Sequence, residues 1–128
     1  MNKRLAKARR ILAAQIEFDR LAEWMLIELR HRQAADDERR RKLLGFVEAE
    51  SAFGGLFAGA MMRRLAALEK SCDARRAETD AQNEKRSAER ARMRSAEAIV
   101  EALERNEGRR QERLQLIEAI EASLNRRA

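Results

Sequence analysis

The clearest pattern in this sequence is a heptad repeat in its second half. Core positions recur there with alternating spacings of three and four residues, which predicts a long helix packed against a partner helix. Ten of the eighteen positions are apolar or cysteine, and the polar ones cluster at 75–89 and at Glu107 and Arg110. The positions are Leu65, Leu68, Cys72, Arg75, Thr79, Gln82, Arg86, Glu89, Met93, Ala96, Val100, Leu103, Glu107, Arg110, Leu114, Ile117, Glu121 and Leu124.

The first half carries more apolar residues than one partner helix can cover. One stripe with spacings of three and four contains Ile11, Ala14, Phe18, Leu21 and Met25. A neighbouring stripe contains Leu12, Ile16, Leu26 and Leu29. Together they predict a wide apolar helix face. We expect Trp24 and Ile27 to remain as an exposed apolar face unless a partner covers them.

Residues 30–42 continue this helix with charged side chains. Three acids each stand four residues before a base, an arrangement that stabilises a helix by about 0.2–0.5 kcal/mol per pair. The pairs are Asp36 with Arg40, Asp37 with Arg41, and Glu38 with Lys42.

One stretch breaks the helical pattern, Phe53-Gly54-Gly55-Leu56-Phe57-Ala58-Gly59. Adjacent glycines accept positive φ angles without steric cost, and the chain contains no proline. The sequence therefore predicts an all-α fold, a long antiparallel two-helix coiled-coil hairpin in a single domain. Helix one spans about 3–52, the tip 53–59 and helix two about 60–125.

Folding at the tip sets the expected pairing of the two arms. The polar stretch 30–42 should face about 71–83, so that both arms are polar at the same height. The apolar stretch 11–29 should face 84–102.

Helix two should extend beyond the start of helix one. The extension carries Leu114, Ile117, Ile120 and Leu124, an apolar stripe without an intramolecular partner that we expect to meet another protein. Whether helix two bends at Asn106–Gly108 stays open.

The tip residues Phe53, Leu56 and Phe57 are unusually apolar for an exposed turn. Two interpretations stand side by side. The side chains fold over one another and cap the hairpin, or they form a contact site together with the Gly54-Gly55 turn.

Composition supports long helices and narrows the partners. The 128 residues include 5 glycines, 1 tryptophan and no tyrosine, and 39% are charged. The 45% of hydrophobic residues are periodic, which disorder does not require. The net charge of +6 arises from 28 basic residues interleaved with 22 acidic ones, a mixture typical of a solvated helix surface.

Basic residues gather at the open end of the predicted hairpin. They are Lys3, Arg4, Lys7, Arg9 and Arg10 in the first arm and Arg109, Arg110 and Arg113 in the second. They serve solubility, or they form a docking surface for an acidic protein partner. Nucleic acid is disfavoured as a partner because stacking aromatics are missing and acids interrupt the bases.

No catalytic or metal-binding set of residues is recognisable. His31 is the only histidine and stands among arginines, and Cys72, the only cysteine, falls on a core position of the repeat. The glycine-rich stretch lacks the lysine of a phosphate-binding loop. We therefore expect a non-enzyme without cofactor or metal. The sequence also lacks a signal-peptide core and a membrane span, so we expect a cytoplasmic protein.

The architecture resembles the flagellar export protein FliJ and the related type III secretion stalk proteins of the YscO kind. The resemblance rests on Arg4-Leu5-Ala6-Lys7-Ala8-Arg9-Arg10, on the Gly54-Gly55 break and on the heptads from Leu65 to Leu124. It implies a non-enzymatic stalk that docks on the export ATPase hexamer with its open end. It further implies contacts with the export gate or chaperones, at the membrane export apparatus.

The alternative is a self-associating coiled-coil scaffold or dimerisation protein. Two hairpins packed into a four-helix bundle would bury the surplus apolar face at 11–29.

Overall fold

The computed structural model describes residues 2–52 and 54–127. It contains two helices, α1 (Lys3–Ala52) and α2 (Ala58–Arg127), which pack together, and the described residues include no strand. The predicted fold class, an all-α antiparallel hairpin, is confirmed. Phe53, which the sequence analysis assigned to the tip, lies outside the described residues. α2 continues as helix through Asn106 and Gly108.

The turn between the helices depends on two glycines. Gly54 and Gly55 have φ angles of 104° and 67°, where a side chain would strain the backbone. The amide of Gly55 donates to the carbonyl of Glu50 at 2.9 Å, and the amide of Ala58 donates to the carbonyl of Gly55 at 3.1 Å. The turn is shorter than predicted, because Gly59 lies inside the first turn of α2.

The hairpin divides into two compact units, and each contains part of both helices. Unit one comprises residues 2–19 and 89–127, and unit two comprises residues 20–88. In unit one, Leu5, Ala8 and Val100 form the buried cluster, and Leu12 and Leu103 pack against it.

Unit two has a seam that mixes apolar and polar side chains. Leu26 is its most deeply buried side chain, 1% exposed. The side-chain amide of Gln82 donates to the carbonyl of Ala22 at 3.1 Å. Arg75 Nε donates to Asp36 Oδ2 at 3.0 Å, so this buried carboxylate has a cross-helix partner. Thr79 Oγ1 donates to the carbonyl of Arg75 one turn earlier.

The predicted repeat of the second half matches the burial of α2. Each of its positions from Leu65 to Glu107 is buried or half-buried, including the polar ones. From Arg110 onward the repeat positions are exposed. The repeat positions up to Glu107 therefore form the inward face of α2 within each unit.

The wide apolar face predicted for α1 lies partly in the seam and partly on the surface. In the first predicted stripe, Ile11, Phe18 and Leu21 are each more than half exposed. The second predicted stripe, Leu12, Ile16, Leu26 and Leu29, is buried or half-buried. The inward residues form a series that also includes polar residues, some of which meet partners on α2. Its members are Leu5, Ala8, Leu12, Gln15, Asp19, Ala22, Leu26, Leu29, Gln33, Asp36, Arg40, Leu43, Val47 and Glu50.

The pairing of the helices differs from the expected one by about one helical turn. The expected pairing places Asp19 of unit one opposite residue 94, whereas the Asp19 carboxylate pairs with Arg90 at 3.3 Å. The shorter turn accounts for the shift, since α2 begins at Ala58.

The ion pairs predicted within 30–42 are also replaced by others. Arg41 pairs with Glu38 at 3.2 Å, three residues away, and Arg40 reaches Glu69 on α2 at 3.7 Å. Arg40 therefore pairs across the seam with Glu69 rather than with Asp36 on its own helix.

Candidate protein-docking surfaces

The last part of α2, residues 108–127, is the most exposed helical segment of unit one. We call it the terminal segment. Every residue in it is exposed, although it remains helical throughout. Its large apolar side chains are about half exposed or more: Leu114 50%, Leu116 62%, Ile117 51%, Ile120 50% and Leu124 60%. The predicted partner-binding stripe consisted of Leu114, Ile117, Ile120 and Leu124, and Leu116 was not among its members.

The basic residues assigned to docking are divided between two helices of the same unit. Arg109, Arg110 and Arg113 belong to the terminal segment and are exposed. Lys3, Arg4, Lys7 and Arg10 are exposed at the start of α1. Asn2 Nδ2 donates to Glu107 Oε2 at 3.0 Å, which places the start of α1 beside the beginning of the terminal segment.

Acidic side chains interrupt this basic region. Arg9 pairs with Glu104 at 3.2 Å, so its charge is partly neutralised within the unit. Glu107 lies next to the same region through its bond with Asn2. The surface therefore combines separate basic patches with an apolar stripe, rather than one continuous positive field.

Each unit also has an apolar groove between α1 and α2. In unit one, Ile11 and Ile99 line a groove of about 470 Å³ whose wall includes the small residues Ala8 and Ala96. In unit two, Trp24 and Met25 line another groove, of about 480 Å³, beside α2. Trp24 is 61% exposed and Ile27 is 46% exposed.

The tip is apolar and open to solvent. Leu56 is 84% exposed and Phe57 is 59% exposed, so these two side chains do not cap the hairpin by covering one another. Phe46 and Met62, on the flanking helices, are 63% and 52% exposed. The side chains of these four residues are therefore accessible from solvent.

The remaining candidates for chemistry stand apart from one another. His31 is exposed, and Cys72 is buried in the seam of unit two. Burial raises the pKa of the Cys72 thiol, and the carboxylates of Asp36 and Asp37 raise it further. Among the described residues, no group of three His, Cys, Asp or Glu side chains could hold a metal ion.

Neither helix contains, in the part of the chain that the structure describes, a segment long and apolar enough to cross a membrane. Comparison with known proteins adds no relative: no family model, no curated protein and no solved structure matches the chain.

Proposed function

We propose that this chain is a non-enzymatic docking protein, a stalk component of a type III protein export apparatus, whose terminal segment binds another protein. The observation that carries the proposal is the exposure of the terminal segment. It is helical and displays the stripe of Leu114, Leu116, Ile117, Ile120 and Leu124 to solvent. Contiguous exposed apolar side chains of this kind mark interaction sites.

The chemistry of the segment defines the partner that fits it. An amphipathic helix binds by laying its apolar face into a groove, with anchors at spacings of three, four and seven residues. Ile117, Ile120 and Leu124 have that spacing. Arg109, Arg110 and Arg113 precede the stripe, so the groove should be apolar with an acidic rim at one end.

The choice of an export apparatus rests on the resemblance to FliJ and the YscO-like stalks. By that resemblance the partner is the export ATPase hexamer, with the export gate or chaperones as further partners. The basic and apolar residues at the ends of both helices would enter the ring. The protein would then act near the membrane export apparatus without chemistry of its own.

Replacing Ile117 and Ile120 with aspartate should abolish binding to the export ATPase of the same organism. Two buried interface anchors each contribute about 2 kcal/mol or more, so the double variant should lose about 4 kcal/mol and bind at least about 500-fold more weakly. Titration of the purified ATPase by isothermal calorimetry measures the loss. Stimulation of ATP hydrolysis by the wild-type chain should disappear in parallel.

The matched control changes two exposed polar residues of the same segment, Gln111→Asp with Gln115→Asp. It adds the same negative charge without removing an apolar side chain, and it should retain most of the binding. Wild-type protein that neither binds the ATPase nor alters its turnover would refute the assignment to the export apparatus.

A second candidate function, self-association as a scaffold, is favoured by the outer surface of α1. The groove lined by Ile11 and Ile99 is floored by small residues, which leaves room for a helix of a second copy. Phe18, 53% exposed, continues the same helix face.

This candidate predicts a dimeric mass in multi-angle light scattering and a monomeric mass for Phe18→Glu, because a charge cannot be buried unpaired at the contact. Ala13→Glu places the same charge at an exposed site of α1 outside the stripe, and it should stay dimeric. A monomeric wild-type chain at every accessible concentration would eliminate the scaffold.

A further inference from the structure

The tip of the hairpin is a further candidate docking surface, independent of the terminal segment and of the proposed function. Residues 43–62 form an apolar stretch in which Glu48 and Glu50 are the only charged residues. Four basic residues, 39–42, precede this stretch, and Arg63 and Arg64 follow it. A tip that is apolar and bounded by cations on both sides has the distribution of an interfacial membrane-binding element.

The structure shows where the apolar side chains of the tip lie. The two glycines with positive φ reverse the chain, and Leu56 and Phe57 follow them immediately. Leu56 is 84% exposed, the largest value among the exposed large hydrophobic residues. Phe46 and Met62 are exposed on the helices behind the turn. The protruding part of the hairpin is therefore apolar on several sides.

One of the two acids is engaged within the turn. Glu50 Oε1 accepts the amide of Phe57 at 3.3 Å, and the carbonyl of Glu50 accepts the amide of Gly55. Glu48 is exposed. It lies four residues before the end of α1, and the rise of 1.5 Å per residue puts it about 6 Å from the turn, near headgroup depth.

Three of the cations near the tip, Lys42, Arg63 and Arg64, are available for an outside partner, whereas Arg39, Arg40 and Arg41 pair with Asp36, Glu69 and Glu38. No carboxylate of the described residues lies within ion-pair distance of Lys42, Arg63 or Arg64. Lys42 and Arg64, together with Arg39, also line a groove of about 550 Å³ that contains Leu43 and Phe46. Positive side chains thus surround apolar surface in the same unit.

We propose that the tip docks on an anionic lipid surface, with Leu56 and Phe57 entering the acyl boundary. Arg63 lies five residues into α2, which corresponds to about 8 Å of helix. Insertion by the 5–10 Å typical of interfacial elements would bring Arg63 and Arg64 to about the level of the phosphates. Lys42 can extend toward the same level through its flexible stem.

The shape and charge of the tip favour lipid over a protein partner. Its apolar side chains protrude from a tight turn, whereas tight protein interfaces require a matched cavity around each anchor. A bilayer adapts to a protruding side chain without a preformed pocket. The unpaired cations complement anionic headgroups, each contributing about 1 kcal/mol near the surface.

Flotation of the full chain with lipid vesicles tests the proposal. Binding should appear with vesicles containing about one third phosphatidylserine at low salt, and should be weak with pure phosphatidylcholine. Leu56→Ser with Phe57→Ser should lower binding at least about tenfold, because the inserted apolar area is lost. Arg63→Glu with Arg64→Glu should lower it at least about tenfold as well.

Two control variants carry matched changes in the terminal segment. Leu116→Ser with Ile120→Ser removes comparable exposed apolar surface, and Arg109→Glu with Arg110→Glu makes the same change in net charge. Both should bind anionic vesicles as the wild type does. Circular dichroism of all variants should show unchanged helix content, since every substituted residue is exposed.

A fluorescent reporter checks insertion directly. In a Trp24→Phe, Phe57→Trp variant, tryptophan emission should shift to the blue with anionic vesicles, whereas the native Trp24 of the wild type should show little shift.

The proposal is overturned if the wild type fails to float with anionic vesicles at low salt. It is equally overturned if Arg109→Glu with Arg110→Glu loses as much binding as the tip variants, since net charge alone would then explain adsorption. A dimer that Leu56→Ser with Phe57→Ser converts to a monomer would assign the tip to self-association.

Discussion

Replacing Leu26 with alanine should lower the free energy of unfolding by about 3 kcal/mol, within the range for buried leucines. Leu26 is 1% exposed, and its neighbours in the seam of unit two include the polar Gln82, which bonds to the carbonyl of Ala22. A polar neighbour fixed by a hydrogen bond cannot move to fill the cavity. Urea denaturation followed by circular dichroism measures the loss.

The adjacent residue provides the control for this prediction. Ile27 is 46% exposed on the outer surface of α1, so Ile27→Ala should cost less than about 1 kcal/mol. Equal small losses for the two variants would contradict the inward assignment of Leu26. Equal large losses would indicate that another molecule covers the outer surface in solution.

The fold was predictable because the large apolar residues of α2 recur in an unbroken heptad series. Its positions from Leu65 to Glu107 match the buried face, even where the residues are polar. The glycine pair identified the turn. The sequence pattern overestimated the length of this turn, because Gly59 is tolerated in the first turn of α2.

The sequence left open which apolar residues of α1 enter the seam, because they outnumber the positions available there. The stripe of Ile11, Phe18 and Leu21 is exposed, whereas Leu12, Leu26 and Leu29 of the neighbouring stripe lie in the seam. The seam series from Leu5 to Glu50 also includes polar residues, among them Asp19 and Asp36. Their partners Arg90 and Arg75 could not be known before the register of the hairpin was known.

The docking surfaces were predicted only in part. The stripe of Leu114, Ile117, Ile120 and Leu124 pointed to the terminal segment, but Leu116 was not included in it. The apolar tip was noticed from composition. The pattern left open whether the tip side chains cap the hairpin or form a contact site, and the 84% exposure of Leu56 could not be read from it.

Polar side chains in the seam lower the stability that the hairpin can reach while fixing its register. A pairing shifted by one turn would place Asp36 near Ser71 or Thr79 instead of Arg75, and a buried unpaired carboxylate is costly. Single polar residues at core positions specify register in coiled coils in the same way. We therefore interpret Asp36 and Arg75 as a register-setting pair of unit two. Asp19 does not have this role, because a shift of one turn would bring Arg86 or Arg94 to it in place of Arg90.

Replacing Asp19 with alanine should lower the free energy of unfolding by about 2 kcal/mol. The value is smaller than for a fully buried pair, because the side chain of Arg90 is 37% exposed. Its Nε is nevertheless buried without a hydrogen-bond partner, as is Asp19 Oδ1. Thermal and urea unfolding of the single variant measure the cost of leaving Arg90 without its carboxylate.

The double variant Asp19→Leu with Arg90→Met should reverse this loss and exceed the wild type by about 1–4 kcal/mol, as replacement of imperfectly satisfied buried ion pairs does. Urea denaturation followed by circular dichroism measures the gain. A double variant that is less stable than the wild type would show that the ion pair stabilises the hairpin.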